Sequence, residues 1–204
     1  MVFNRGRFLV GPAAGSVEHP AKRLLDIAAA LAGLVVGSPL LLLCAIAIKA
    51  TSSGPVIFAQ ERVGRNERRF TCYKLRTMYQ ATPHLASHEV SVSAVTPVGL
   101  FLRKIKLDEL PQLVNVLRGD MSLVGPRPCL PSQTELIEAR RAAGVYALRP
   151  GITGIAQVQG VDMSQPAALA TLDATYLAKA GLLTDLRILL LTVAGRGNGD
   201  RVAA

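Results

Sequence analysis

Residues 27–48 read IAAALAGLVVGSPLLLLCAIAI, 22 consecutive positions without a charge. About 20 apolar residues are enough to cross a bilayer as a helix, so the fold turns on where this segment goes. It is not a cleavable signal peptide, because it begins too deep in the chain and no clear small-residue cleavage site follows it. Two details argue against a simple span. Pro39 sits near the centre, after Gly37 and Ser38, where its ring removes one helix hydrogen bond and clashes with the preceding turn. Basic residues also flank both ends, with Arg5, Arg7, Lys22 and Arg23 ahead and Lys49, Arg62, Arg65, Arg68 and Arg69 behind. Positive charge marks the cytoplasmic side, and here both flanks ask for it. A helix that enters, bends at Ser38-Pro39 and returns to the same face satisfies both; an ordinary kinked span is the alternative. The Ser38 hydroxyl, or other protein groups, would then meet the backbone atoms freed at the bend.

The bulk composition agrees with a membrane surface. The 204 residues suit one globular unit, or one unit with an appendage. A formal net charge of +9 is paired with a mean hydropathy of +0.34. Strongly basic soluble proteins that bind polyanions are usually hydrophilic, whereas a basic and apolar chain suits a surface of anionic lipid. Cys44, Cys72 and Cys129 are dispersed without CxxC spacing, which argues against a disulfide framework or a zinc site and suits a reducing compartment. Trp is absent and there are 4 Tyr, so no aromatic belt is on offer.

Beyond Lys49, two β-rich runs at 56–60 and 69–75 flank the turn-like Gly64-Arg65-Asn66 and predict a hairpin. Residues 80–97 read as an irregular loop. His84 and His88 lie in it at i, i+4, and without a helix or carboxylate signature they are expected to be solvated rather than metal ligands. From Asp108 the apolar positions Leu110, Leu113, Val114 and Leu117 recur with helical period, and Gly119 stops the run. Further helices are predicted over 131–143, near 165–179 and over 184–194, the last apolar enough for a core or a membrane interface. No internal repeat is visible.

Asp108 and Glu109 are the only carboxylates between Glu89 and Asp120, with Arg103, Lys104 and Lys106 just upstream. The plain reading makes Asp108 a helix N-cap and Glu109 a favourable first-turn charge. Beside basic residues at a helix start, such a carboxylate is expected to be ionised. It could ligate magnesium or act as a nucleophile, as carboxylates do in aspartyl-phosphate chemistry. Pro126-Arg127-Pro128 is a stiff extended loop, because each proline fixes its own φ and restricts the residue before it. An arginine held so suits bidentate phosphate binding. Lys74, Arg76, Arg103 and Lys104 come from separate elements, and with Arg127 they could form a diphosphate pocket with magnesium as counter-cation. No P-loop, GxGxxG or Ser-His-Asp pattern is present.

At this point the chain resembles a family. KRLLD before the Ser-Pro-containing segment, then GPVIFAQERVG, YKLRTM, LRK with LDELPQLVNVLRGDMSLVGPRP, and RPGITGIAQV are similar, in order and separation, to the bacterial sugar transferases, the monotopic polyprenyl-phosphate phosphoglycosyltransferases. The match runs from about Lys22 to Val193, and the length matches the family's minimal catalytic form. The resemblance implies transfer of a sugar 1-phosphate from a UDP-sugar to undecaprenyl phosphate, giving polyprenyl-diphospho-sugar and UMP, as the first membrane step of a bacterial glycan pathway. It implies Asp108 as the nucleophile of a covalent phosphosugar intermediate and Glu109 as its partner at the magnesium site. Arg103, with Lys74 and Arg76, would bind phosphate, and Pro126, Arg127 and Pro128 would lie beside the nucleotide. Ser38 and Pro39 become the break of a re-entrant helix on the cytoplasmic face of the inner membrane.

The implied fold is α+β and predominantly helical: a monotopic membrane protein with a re-entrant helix, a small hairpin and amphipathic interfacial helices. The implied divisions are a tail (1–21), the membrane helix (22–49), a cytosolic catalytic part (50–195) and a second tail (196–204). Partners would be the donor, the acceptor and membrane lipids, not nucleic acid, for which stacking aromatics are sparse; a homodimer is left open. The chain departs from the family pattern where Ile105 and Lys106 replace small hydroxyl residues, in VSAVTPVG at 92–99, and in lacking C-terminal Trp residues. A scaffold holding anionic lipid through charge alone, or an inactive family member, is the competing reading.

Overall fold

The computed structural model describes residues 19–80, 82 and 91–195. His84 and His88 lie outside these, as do residues 196–204 and most of the expected N-terminal tail.

The apolar segment belongs to helix α1, Pro20–Thr51. Its start is conventional: Pro20 stands at the first helical position, and the His19 ring accepts a hydrogen bond from the Ala21 amide at 3.2 Å. At 1.5 Å per residue its 32 residues extend about 48 Å. The helix assignment runs without interruption through Ser38 and Pro39, so any bend there is made inside one helix and not between two separate ones. Pro39 cannot donate to the carbonyl four residues back, Val35. The Ser38 hydroxyl donates to that same oxygen at 2.8 Å, so the helix loses a backbone bond without leaving an orphaned acceptor.

The two faces of α1 are inverted relative to a water-soluble helix. Lys22, Asp26, Ala30, Cys44 and Ile48 are buried, and Gly33 and Gly37 lie on the same stripe, at spacings of three and four. A Cβ at Gly33 would stand 2.9 Å from Leu113, so the glycine permits close approach to helix α3, Gln112–Arg118. The large side chains Leu24, Leu31, Val35, Val36, Leu42, Leu43 and Ile46 point outward and are exposed. Small and charged groups therefore face the protein, and aliphatic groups face away.

Both ends of α1 are tied to the same body. Near its start, Lys22 Nζ donates to Asp185 Oδ2 at 2.6 Å and to the Val124 carbonyl at 3.1 Å. Asp26 accepts from the Ser122 hydroxyl at 2.8 Å and the Leu123 amide at 3.1 Å. The Tyr176 hydroxyl donates to the other oxygen of Asp185 at 2.6 Å. Burial and this hydrogen bond push Tyr176 far above the ordinary phenol range, which keeps it a donor. At the other end, Cys44 and Ile48 pack with Leu75 and Leu102, and Arg76 donates to the Ser52 and Ser53 carbonyls.

The predicted hairpin forms from β1, Ile57–Val63, and β2, Arg69–Leu75, paired antiparallel with Ile57 opposite Leu75. Its tip places Asn66 and Glu67 at φ 53° and 59°, and Arg141 holds the Glu67 carboxylate from outside. Helix α2, Pro97–Lys104, was not expected; Thr96 caps it by accepting from the Gly99 amide at 2.9 Å. The helix expected from Asp108 starts later. Leu107–Glu109 form a 3-10 turn and α3 begins at Gln112, so Asp108 is not its N-cap. Gly119 ends α3 at φ 91°, as expected.

Two three-residue strands, β3 (Ser122–Val124) and β4 (Gly151–Thr153), pair in parallel, with α4, Thr134–Ala142, in the connection between them. Helices α5 (Ile155–Val158), α6 (Pro166–Lys179) and α7 (Leu182–Val193) complete the described chain. All three cysteines are buried and free; burial pushes the Cys72 thiol up and leaves it unreactive.

Breaking the Lys22–Asp185 pair from one side leaves a buried carboxylate without its cation. Lys22→Met is expected to cost about 3–5 kcal/mol, read as a lowered thermal midpoint in detergent. Lys22→Met with Asp185→Leu should recover most of it, and a single variant as stable as the parent would contradict the assignment.

Candidate active site

The acidic pair is placed by a reversal of the chain. Helix α2 ends at Lys104, and Lys106 adopts a left-handed conformation, φ 60° and ψ 19°. For a residue with a Cβ this costs roughly 1–2 kcal/mol, and it turns the backbone directly into the 3-10 turn that carries Asp108 and Glu109. With three residues per turn, neighbouring side chains diverge by about 120°. Both carboxylates are buried, at 5% and 8% exposure, yet they serve different surroundings.

Asp108 lines a cavity of about 370 Å³. Arg62, Lys74, Arg76 and Arg103 line it too, giving an anion-receiving wall around one carboxylate. Lys74 reaches it from the end of β2 and Arg76 from the residue just past that strand. Arg76 has a second role that the sequence did not reveal: its guanidinium engages the Ser52 hydroxyl at 2.9 Å and the carbonyls that follow α1, so it also secures the end of that helix. Arg103 Nη1 donates to Thr77 Oγ1 at 3.4 Å. Lys104, also considered at the sequence level, is not among the residues lining this cavity.

Glu109 is clamped by two cations. Its Oε1 accepts from Lys74 Nζ at 3.2 Å and from Arg127 Nη2 at 2.7 Å. Arg127 can hold this position because its loop is fixed at every carbonyl. The Pro126 oxygen accepts from the Gly151 amide at 2.9 Å, the Arg127 oxygen from Arg140 Nη1 at 2.8 Å, and the Pro128 oxygen from Arg62 Nη1 at 3.1 Å. Arg140 is itself buried and paired with Asp173, Nε to Oδ2 at 2.9 Å. Burial raises the Asp173 carboxyl, and Arg140 opposes that shift.

The loop also needs two backbones in close contact. A Cβ on Gly151 would lie 2.1 Å from the Gly125 nitrogen, and one on Gly125 would lie 2.4 Å from the Arg149 oxygen. Sequence reasoning found Asp108, Glu109, Lys74, Arg76, Arg103 and the Pro-Arg-Pro loop, and the structure brings them into one neighbourhood. It missed Arg62, Arg140 and Asp173. The last two stand on helices whose charges carry no distinguishing spacing; Arg62 could have been found as the position two beyond Gln60 on the same side of β1. Among the described residues no cluster of three or more His, Cys, Asp or Glu side chains is arranged for a metal.

The chain as a whole is similar to known proteins. The profile of the bacterial sugar transferases matches residues 17–197. The chain belongs to the bacterial sugar transferase family. It is a transferase. It is 44% identical over 183 residues to the UDP-glucose:undecaprenyl-phosphate glucose-1-phosphate transferase of Caulobacter vibrioides, covering 84% of this chain and 68% of that one. It is 40% identical to an undecaprenyl-phosphate glucose phosphotransferase of Komagataeibacter xylinus, of which it spans only 35%. It is 35% identical to the exopolysaccharide production protein ExoY of Rhizobium meliloti over 84% of that protein's length.

Gly151→Ala is expected to displace the Pro-Arg-Pro loop, costing about 1–3 kcal/mol and lowering transfer by more than the stability loss explains. Thermal unfolding and activity measured on one preparation check this; full activity would show that the close approach is dispensable.

Proposed function

We propose that the protein transfers a sugar 1-phosphate from a UDP-sugar to undecaprenyl phosphate, releasing UMP and forming undecaprenyl-diphospho-sugar. The observation that carries the reading is a buried aspartate on the wall of a cation-lined cavity, beside a glutamate clamped by Lys74 and Arg127. The activities after which the Caulobacter and Komagataeibacter relatives are named support it.

In the first displacement an Asp108 carboxylate oxygen attacks the sugar-bearing phosphorus. The bond from that phosphorus to the bridging oxygen breaks, and UMP departs with the electron pair. In the second, a phosphate oxygen of the acceptor attacks the same phosphorus, the bond to Asp108 breaks and the carboxylate is regenerated. Arg62, Lys74, Arg76 and Arg103 offset the charge of the diphosphate, and donors already positioned around a cavity make such contacts stronger than in water. Lys74 and Arg127 hold Glu109 in place. Magnesium takes one or two carboxylates and completes its shell with phosphate and water. With the two side chains turned apart, Asp108 on the cavity wall would be its carboxylate ligand, Glu109 being held by Lys74 and Arg127, and the ion would supply further charge neutralisation at the phosphates.

The site would sit on the cytoplasmic face of the inner membrane. α1 is the one described helix long and apolar enough to cross a membrane, but both of its ends are fastened to the same globular body. Exposed apolar side chains also stand on and just after α2, at Leu100, Phe101 and Ile105, and on α7, at Leu183, Leu186, Leu190 and Val193. Such a surface suits a monotopic protein lying in one leaflet.

Asp108→Asn is expected to abolish transfer while leaving membrane association intact. Mass spectrometry of the wild type with magnesium and a panel including UDP-glucose and UDP-N-acetylgalactosamine, without acceptor, should show one added sugar phosphate on Asp108. Appreciable transfer by the variant would sink the nucleophile assignment. For topology, His19→Cys and Thr51→Cys should both resist an impermeant maleimide applied outside intact cells and both react after permeabilisation. Labelling of only one from outside would mean a spanning helix.

A further inference from the structure

Glu109 does not line the cavity that Asp108 lines. It lines a separate one, of about 210 Å³, that shares no residue with the larger. A carboxylate placed so is poorly sited to meet the donor. Its partner Lys74, at 3.2 Å, does line the larger cavity. The pair therefore links the two cavities, and its lysine end is the one that faces substrate.

The backbone beneath Lys74 is well fixed. Lys74 stands opposite Phe58 in the register of β1 and β2, and both residues line the larger cavity. One residue earlier, the Tyr73 amide donates to Asn115 Oδ1 at 3.1 Å, and Asn115 Nδ2 donates to the Thr71 carbonyl at 2.7 Å. The long side chain beyond that backbone is another matter, because strand pairing does not order it. Ordering it costs rotamer freedom, which a substrate would otherwise have to supply on binding.

Glu109 can order it beforehand because it is itself fixed from the far side. The same Oε1 accepts from Arg127 Nη2 at 2.7 Å, and Arg127 stands on the loop whose carbonyls Gly151, Arg140 and Arg62 hold. One anionic oxygen between two cations also keeps them from repelling each other. With that oxygen withdrawn, the flexible lysine would be the one to move.

We propose that Glu109 is a positioning residue for Lys74, holding its ammonium toward the phosphates of the bound nucleotide-sugar while touching no substrate itself. The assignment rests on the function proposed above. Consecutive carboxylates suit this division, because a 3-10 turn sends neighbouring side chains about 120° apart. Asp108 faces the donor, and the next residue fixes a cation on the wall of the same cavity. Once UMP has left, an acceptor phosphate entering the vacated space meets the same ammonium, so Glu109 serves both displacements.

The test measures binding of UDP and of uridine by isothermal titration calorimetry in EDTA, with the full chain in lipid nanodiscs. UDP carries the diphosphate without a transferable sugar, uridine carries no phosphate, and EDTA removes any part played by a metal. Glu109→Asp keeps the charge and withdraws it by one methylene. It should weaken UDP binding about fivefold and leave uridine binding within about twofold of wild type. In a Lys74→Met background the same substitution should change UDP binding by less than about twofold. Unchanged UDP affinity in Glu109→Asp, a fivefold loss that persists without Lys74, or an equal loss for uridine would overturn the assignment while leaving the reaction standing. No binding of UDP by the wild type, with no adduct from any donor, would overturn the reaction and this assignment together.

Discussion

One buried ion pair, Lys22 with Asp185, joins the first helix to the last, and the rest of the structure is arranged around it. Taken singly, a buried pair is weak evidence of stability, because desolvation offsets much of the attraction. Here every remaining polar atom nearby is also used. Tyr176 satisfies Asp185, the Val124 carbonyl receives Lys22, and Asp26 takes the Ser122 hydroxyl and the Leu123 amide. These contacts converge on β3, and β3 runs straight into the Pro-Arg-Pro loop. The position of Arg127 against Glu109 is thus referred back, through three residues of strand, to the start of α1.

A second chain of contacts reaches the same loop from the other side. Asp173 orients Arg140, and Arg140 fixes the Arg127 carbonyl. The guanidinium of Arg127 is left to hold Glu109 while its own carbonyl is fixed by Arg140, which does not line the large cavity. Arg76 works at both scales, since it lines the large cavity and also fastens the residues that follow α1. Cations in this protein therefore divide by what their backbones and neighbours already demand of them, not by their exposure alone.

Much of this could be read from sequence where a local rule operates. The uncharged segment, the hairpin around Gly64 and the helix stop at Gly119 follow from period, turn chemistry and the conformational freedom of glycine. The acidic pair and the Pro-Arg-Pro loop stood out because their residue types are unusual in their surroundings. Helix α2 had a signal that was passed over, Thr96 followed by Pro97, a capping residue and a proline at the first helical position. The parallel strands had none, for three residues are too few to show alternation. The 3-10 turn was also hidden: Lys106 is no glycine, and only tertiary packing makes its left-handed backbone tolerable. The same holds for Ser38-Pro39, where a hydroxyl one residue away takes the carbonyl that the proline leaves and the helix assignment continues through the pair.

The inverted α1 has a bearing on how the protein can be divided. Its inward stripe is part of the folded interior: Ala30 packs with Met121 and Val116, and Ile48 packs with Leu75. Removing the greasy segment to obtain a water-soluble fragment would open both clusters and strand Asp185 without its counter-ion. The apolar helix and the residues of the site share one core, so a version without that helix would have to be rebuilt from the core outward.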